Sequence, residues 1–176
     1  MCTPTGSARA AGVTTDVSLT RHYYFAYGSN MNPARVERRR MPFVEHHGGV
    51  LDGFRLAFNK RSVKVPGAAS ANVMAADGHR VEGVLYRLAD GAGIEFMDPF
   101  EGYPVRYRRE ILPVTFGTDV FEAWVYLANR DYIEEGLQPA RWYLDHLLEG
   151  RPHLSENYYR RLLLTECMPD SDVEPE

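Results

Sequence analysis

Cysteine is scarce in this sequence. Among its 176 residues only Cys2 and Cys167 are cysteines, too few for a disulfide framework or for a zinc site made of cysteine thiolates. Proteins of reducing compartments use cysteine without structural disulfides. We therefore expect a cytoplasmic protein.

Long apolar runs and an excess of positive charge are lacking too. No stretch approaches the ~20 consecutive apolar residues that a membrane-spanning helix requires. The formal net charge is −4 and the isoelectric point is near 5.9, unlike the basic footprint of nucleic-acid-binding domains. The neighbours His46 and His47 would point to opposite faces of a strand, so we also expect no metal site.

The two ends of the chain differ from its middle in composition. Residues 1–21 are rich in Thr, Ser, Ala and Gly and lack the apolar segment of a signal peptide, whereas residues 168–176 are acidic. We expect both ends to be disordered tails. Residues 22–167 then form one domain, long enough to bury a core, and its state as monomer or homodimer stays open.

Strand-like segments dominate the first two thirds of the chain. They carry β-branched and aromatic residues between Gly, Asp and Pro, and they are 22–27, 50–59, 70–76, 81–88, 106–116 and 120–129. The Asp-Gly of "ADGH", residues 76–79, predicts a hairpin turn between two of them.

Four helices are predicted between and after these strands. One begins at Asn32, one lies around 91–98, and two span 139–149 and 155–166. Pro139 and Ser155 are typical helix-start residues. The whole pattern predicts an α+β fold, a small mixed or antiparallel β-barrel flanked by helices.

The stretch "YGSNMNP" links the first strand to the first helix. Asn32 followed by Pro33 is a helix-start signal, so Gly28, Ser29 and Asn30 form a loop whose amides can converge on a carboxylate or an oxyanion. The alternative is an ordinary β-α turn in which Gly28 or Asn30 supplies a positive φ. A nucleophilic Ser29 is a further alternative, although the second Gly of a nucleophile elbow is missing.

The stretch "FMDPFEGYPVRY" holds two carboxylates, Asp98 and Glu101. Aromatic neighbours in sequence would desolvate Glu101, which makes a carboxylate a better base. The alternative is a helix-end or salt-bridge role for Glu101, with partners among Arg106, Arg108 and Arg109. Asp98 is interpreted as a cap or ion-pair residue.

Four stretches together resemble the γ-glutamyl cyclotransferase superfamily. They are "YFAYGSNM" (24–31), "MDPFEGYP" (97–104), "WVYLAN" (124–129) and "PARWYLDHLLEG" (139–150). The resemblance implies a small mixed β-barrel flanked by helices. It also implies cyclisation of a γ-glutamyl small-molecule substrate, which releases 5-oxoproline and a free amine without metal, cofactor or covalent enzyme intermediate.

The resemblance also assigns roles to residues. Glu101 matches the catalytic glutamate, and the implied substrate-binding residues are Tyr24, Phe25, Ala26, Tyr27, Gly28, Ser29, Asn30, Tyr126 and Tyr143. Trp142 is the alternative to Tyr143, because the two are adjacent in the matching stretch. The run Arg38-Arg39-Arg40 is interpreted as a solvated helix face.

The identity of the leaving amine stays open. Lys64 and several arginines flank the expected site, unlike the glutathione-pathway members of the superfamily. The chain could act on γ-glutamyl amino acids, or on another γ-glutamyl amine such as a biosynthetic intermediate. A third possibility, a non-catalytic binding module of the same fold, would gain little from a buried carboxylate such as Glu101.

Overall fold

Five strands close into a barrel in the computed structural model, which describes residues 22–169 and 171–175. Around the barrel the strand order is β1-β5-β4-β2-β3, and β1 also pairs with β3, which closes the sheet. A short strand, β6, adds to the edge of β3. The strands are β1 (Tyr23–Ala26), β2 (Phe43–Arg61), β3 (Ala68–Leu88), β4 (Tyr107–Phe116), β5 (Asp119–Ala128) and β6 (Gln138–Pro139).

The sheet is mixed in strand direction. The pairs β2–β3, β4–β5, β2–β4 and β1–β3 are antiparallel, whereas β1–β5 and β3–β6 are parallel. Short loops join β2 to β3 and β4 to β5, as hairpin geometry permits. The prediction of an α+β fold with a small mixed β-barrel is confirmed.

The predicted hairpin turn at residues 76–79 is wrong. Strand β3 runs through this stretch, and the segments on both sides of it pair with the same strand, β2. The partners change from Asp52↔Arg80 to Phe54↔Ala75, so four residues of β3 bulge out opposite one residue of β2. Gly78 has φ 74°. The Asp-Gly pair therefore supplies the positive φ of a bulge rather than of a chain reversal.

Four α-helices pack outside the barrel in the described residues: α1 (Pro33–Arg38), α2 (Asp98–Glu101), α3 (Arg141–Leu148) and α4 (Glu156–Leu163). The side chains of Asn32 and Ser155 accept hydrogen bonds from the amides of Arg35 and Tyr158, which confirms both as N-caps. Pro139 instead belongs to β6, and α3 begins two residues later. Within the described residues no helix has the length and apolarity needed to cross a membrane.

The predicted helix around 91–98 is two shorter pieces. A 3-10 turn, Gly93–Phe96, leads into α2, which ends at Glu101. Another 3-10 turn, Ser29–Met31, lies between β1 and α1. Helix α3 packs on this turn, and a Cβ at Gly150 would lie 3.0 Å from the Cβ of Met31. The end of α2, the first loop and α3 therefore meet at one side of the barrel.

Candidate active site

A cavity of about 120 Å³ opens where these elements meet. Eight of the ten residues predicted as site residues line it: Tyr24, Tyr27, Gly28, Ser29, Asn30, Glu101, Tyr126 and Tyr143. They come from β1, the following loop, α2, β5 and α3. The fold thus brings together residues that are up to 119 positions apart in the sequence, from Tyr24 to Tyr143.

Phe25 and Ala26, the other two predicted site residues, do not line the cavity. Both are buried within β1. A Cβ at Gly83 would lie 2.9 Å from the Phe25 ring, and a Cβ at Gly49 would lie 3.2 Å from it, so this ring fills the space that two glycines leave in the barrel. In this structure both residues contribute to the packing of the barrel.

The end of helix α2 and a hydrogen bond from the first loop fix the position of Glu101. The next residue, Gly102, has φ 67°, a left-handed conformation that favours glycine, and the Arg106 guanidinium packs against it. The Glu101 side chain reaches the first loop, where the Asn30 Nδ2 group donates to its Oε1 atom at 3.0 Å. An Arg39 N–H group lies 3.5 Å from the same oxygen.

The surroundings of Glu101 differ from the sequence-based expectation. Its neighbours in sequence do not enclose it, since Phe96, Phe100 and Tyr103 are 52%, 48% and 38% exposed. Its ion-pair partner is Arg39, whereas Arg109 pairs with Asp98 at 3.1 Å. The last contact confirms Asp98 as an ion-pair residue.

The interpretation of Arg39 as part of a solvated helix face is wrong. Its side chain is 15% exposed and lies over the Phe100 ring at 4.6 Å. Burial lowers the pKa of Arg39, and the Glu101 carboxylate opposes this shift. The signal in the sequence was the spacing: residues 35 and 39 are four apart, which places them on one helix face, and both line the cavity.

Asn30 connects the loop to the acid. Its Nδ2 group also donates to the Tyr24 hydroxyl at 2.8 Å, and its Oδ1 atom accepts from Arg39 at 2.9 Å. Its backbone carbonyl accepts from the Tyr86 hydroxyl at 2.8 Å. The side chain of Asn30, and not only its amide, therefore fixes the position of Glu101.

Glycine is needed at position 28 for space and not for conformation. The φ of Gly28 is −114°, and Asn30 is not among the residues with positive φ, so the alternative of a turn that depends on a positive φ at either residue is wrong. A Cβ at residue 28 would lie 2.9 Å from the Tyr143 hydroxyl and 3.2 Å from the Ala71 Cβ. Tyr143 thus packs directly on the loop.

Tyr143 and Trp142 both line the cavity, so the structure places both alternatives there. The Tyr143 hydroxyl accepts from the Ala71 amide at 3.0 Å and lies beside the Ser29 amide. In the described part of the chain, no residue accepts a hydrogen bond from the backbone amides of Gly28 or Asn30. Both residues line the cavity, so their amides are candidates to bind a ligand.

The Ser29 hydroxyl lacks the partner that a nucleophile needs. Among residues 22–169 and 171–175, no histidine or carboxylate forms a hydrogen bond with it. A serine without an adjacent base is a weak nucleophile. The geometry therefore favours a loop that acts through its backbone.

The tyrosines of the site are neutral hydrogen-bonding groups. Burial raises the pKa of Tyr24, Tyr27 and Tyr143 above the usual range of a phenol. The Tyr27 hydroxyl donates to the backbone carbonyl of Tyr126. The Tyr126 hydroxyl donates to Asp98 at 2.7 Å, so Tyr126 has its hydroxyl already bound by the protein.

A family model described as gamma-glutamyl cyclotransferase, AIG2-like, matches residues 24–145. This range contains β1 except Tyr23, the loop, Glu101 and all but the end of α3. The chain belongs to this family. No curated protein sequence matches the chain.

Solved structures share the fold. An uncharacterized human protein superposes with a TM-score of 0.76 at 22% identity, covering 88% of this chain and 94% of its own. A structure described as gamma-glutamyl cyclotransferase gives 0.75 at 20% identity, covering 88% and 93%. A yeast cyclotransferase described as specific to glutathione gives 0.60 at 12% identity, covering 80% and 93%. These likenesses establish the fold.

Lys60 is a cavity residue that sequence reasoning missed. A register shift between Phe58 and Lys60 breaks the alternation of β2, so that Asn59 and Lys60 are both buried. Lys60 is 3% exposed, and its ammonium lies 5.3 Å from the centre of the Tyr107 ring. Burial lowers the pKa of Lys60 to about 8. Among the described residues no carboxylate pairs with it, and no local sequence signal announces a bulge.

Proposed function

We propose that this protein is a cytoplasmic γ-glutamyl cyclotransferase that cleaves a γ-glutamyl amide by intramolecular attack of the α-amine. The observation that carries the proposal is the placement of Glu101. Its carboxylate is fixed by Asn30 and Arg39 at the wall of a cavity. Free loop amides belong to the same cavity.

The reaction balances without any co-reactant. The α-amine nitrogen forms a bond with the γ-carbonyl carbon, and the bond from that carbon to the leaving nitrogen breaks. One proton moves from the attacking nitrogen to the leaving nitrogen, and no water is consumed. Because nucleophile and electrophile belong to one molecule, the enzyme needs only to fold the glutamyl chain and move this proton.

Glu101 is the proton carrier in this proposal. Both of its contacts, with Asn30 and with Arg39, use the Oε1 atom. Within the described residues the Oε2 atom has no hydrogen-bond partner, so it is available to the attacking amine and then to the leaving nitrogen. The contacts at Oε1 keep the carboxylate in place while its other oxygen takes and returns the proton.

The glutamyl part of the substrate has two candidate partners for its negative charge. The amides of Gly28 and Asn30 can hold the developing oxyanion or the α-carboxylate. Lys60 supplies an unpaired ammonium in the same cavity, and a buried charge without a partner is costly. A bound carboxylate would relieve that cost, which favours a substrate over a purely structural role for the cavity.

The test is a panel of γ-glutamyl amino acids and γ-glutamyl amines incubated with the purified protein. We expect stoichiometric 5-oxoproline and free amine from at least one class. Failure of every compound to release 5-oxoproline would support the alternative of a non-catalytic binding module. Cleavage of amines that are not amino acids would support the other alternative, an enzyme of a biosynthetic intermediate.

A further inference from the structure

The charged residues that line the cavity form two groups, which we call its inner and outer halves. The inner half contains Glu101, the 28–30 loop and Lys60, and the outer half contains Arg35, Lys64 and Trp142, whose ring lies 6.0 Å from each of the two cations. Glu174 is not among the residues that line the cavity, but its carboxylate pairs with Arg35 and Lys64 of the outer half. It belongs to residues 171–175, which are part of the tail that the sequence predicts to be disordered, and this segment hydrogen-bonds to the start of α3.

The contacts of this carboxylate are those of a bound anion. Arg35 donates to both oxygens of Glu174 at 3.0 Å, in a bidentate pair. Lys64 Nζ lies 3.3 Å from Oε1, and His146 Nε2 lies 3.1 Å from Oε2. Burial opposes ionisation, but the hydrogen bonds from Arg35 and His146 outweigh it and lower the pKa of Glu174 to about 2. A planar guanidinium fork is well suited to carboxylate recognition.

Two buried N–H groups of the outer half have no hydrogen-bond acceptor among the described residues. They are the Nε group of Arg35 and the Nε1 group of Trp142. Leaving a buried donor unsatisfied costs free energy. Since Glu174 satisfies only the terminal nitrogens of Arg35, the outer half has more donors than this side chain uses.

The 171–175 segment is attached at one end by hydrogen bonds that do not depend on Glu174. The Arg141 amide donates to the Ser171 hydroxyl at 2.9 Å, and the Trp142 amide donates to the Ser171 carbonyl at 3.1 Å. These contacts place the segment at the start of α3. Glu174, three residues further on, can leave the cluster while Ser171 stays attached.

We propose that the outer half is a subsite for a carboxylate on the leaving portion of the substrate, and that Glu174 occupies it until substrate displaces it. The inference rests on the proposed function, which defines a leaving portion. It names the substrate class: γ-glutamyl amino acids or peptides, whose amine carries a carboxylate, rather than neutral γ-glutamyl amines. The glutamyl part lies in the inner half, and the leaving part reaches Arg35 and Lys64.

The test uses binding, so that it does not depend on turnover. Titration calorimetry compares γ-glutamylalanine with γ-glutamylethylamide, which lacks only the alanine carboxylate, on the Glu101→Gln variant. Adding Glu174→Gln removes the competing charge and keeps the shape of the side chain. We expect it to tighten γ-glutamylalanine binding by about tenfold, and γ-glutamylethylamide by less than about twofold.

Two further variants make the experiment specific. Asp172→Asn removes the same charge from an exposed residue of the same segment, and we expect no change in either affinity. Lys64→Gln, added to Glu174→Gln, should weaken γ-glutamylalanine binding severalfold and leave γ-glutamylethylamide unaffected. Thermal unfolding of each variant shows that the fold is retained.

The outcomes separate this inference from the proposed function. If Glu174→Gln changes both affinities equally, changes neither, or leaves γ-glutamylalanine unbound, the subsite is wrong, even where the enzyme releases 5-oxoproline. If the two ligands respond differently as expected but no γ-glutamyl compound releases 5-oxoproline, the subsite stands and the proposed function fails.

Discussion

The lysine of the outer half, Lys64, has a carboxylate partner, whereas the lysine of the inner half, Lys60, has none among the described residues. In the outer half Arg35 and Lys64 share the carboxylate of Glu174. In the inner half the Lys60 ammonium has no carboxylate partner in the part of the chain that the structure describes, and burial lowers its pKa to about 8. The protein itself supplies the anion that pairs with Lys64, and we expect the substrate to supply the one that pairs with Lys60.

The largest effect is expected from Glu101→Gln, because it removes the proton carrier and keeps the contacts of the inner half. General acid-base groups contribute ~10²- to 10⁴-fold, so 5-oxoproline release should fall by at least that range. The matched control is Glu95→Gln, an exposed residue of the preceding 3-10 turn. Turnover near the wild-type rate in Glu101→Gln would contradict the role of Glu101 as the proton carrier.

The next largest effect is expected from a substitution at Gly28, in the 28–30 loop. Gly28→Val should reduce turnover by at least about tenfold, since its side chain would push on the Tyr143 hydroxyl and Ala71. Ser29→Ala should stay within about twofold of wild type, because the loop acts through its amides. The measurement is 5-oxoproline release after thermal unfolding has shown that both variants fold. An inactive but folded Ser29→Ala variant would restore the covalent alternative.

A smaller effect is expected when Lys60 is replaced. It concerns the free energy of unfolding, and it tests whether the Lys60 ammonium is unpaired. A lysine whose pKa is lower in the folded state keeps its full cost below pH ~8, and this cost disappears as pH rises toward the unfolded value of about 10.4. The free energy of unfolding of the wild type should therefore rise between pH ~8 and ~10, and Lys60→Met should lack this rise. At pH 7, Lys60→Met should raise the free energy of unfolding by about 1–2 kcal/mol, allowing for solvent screening.

Urea denaturation across this pH range checks the prediction, with Arg55→Met in the same strand as the control, because Arg55 is exposed. Lys60→Met should also bind γ-glutamyl ligands more weakly, which would mean that the unpaired lysine lowers stability and supports binding. A lower stability of Lys60→Met at pH 7 would mean that Lys60 is paired in the folded protein.

The barrel and the meeting of Glu101 with the first loop could be predicted from the sequence, whereas the bulges in the strands could not. Strand patterns, the Asn32 and Ser155 caps and the four matching stretches were enough for the barrel, its helices and the meeting of Glu101 with the 28–30 loop. The bulge that buries Lys60 was not predictable, because a register shift depends on the partner strand. The Asp77-Gly78 pair was misassigned for a related reason: a positive φ serves a bulge as well as a turn.

The charged contacts were the least predictable. Arg39 looked solvated because a run of arginines at a helix end is typical of a surface, yet it contacts Glu101 and Asn30. Glu174 lies 139 residues from Arg35, and no local pattern joins such distant residues. Long-range pairs of this kind follow from the packing of α3 and are visible only in three dimensions.

The central claim is that the α-amine of the substrate, and not water or Ser29, attacks the γ-carbonyl. The most direct test is mass spectrometry of the products in ¹⁸O-water, with a cleaved γ-glutamyl compound and its N-acetylated form. The account predicts 5-oxoproline without solvent oxygen from the first and no cleavage of the second, since acetylation removes the nucleophile. N-acetylglutamate, or ¹⁸O-labelled glutamate as the first product, would contradict it.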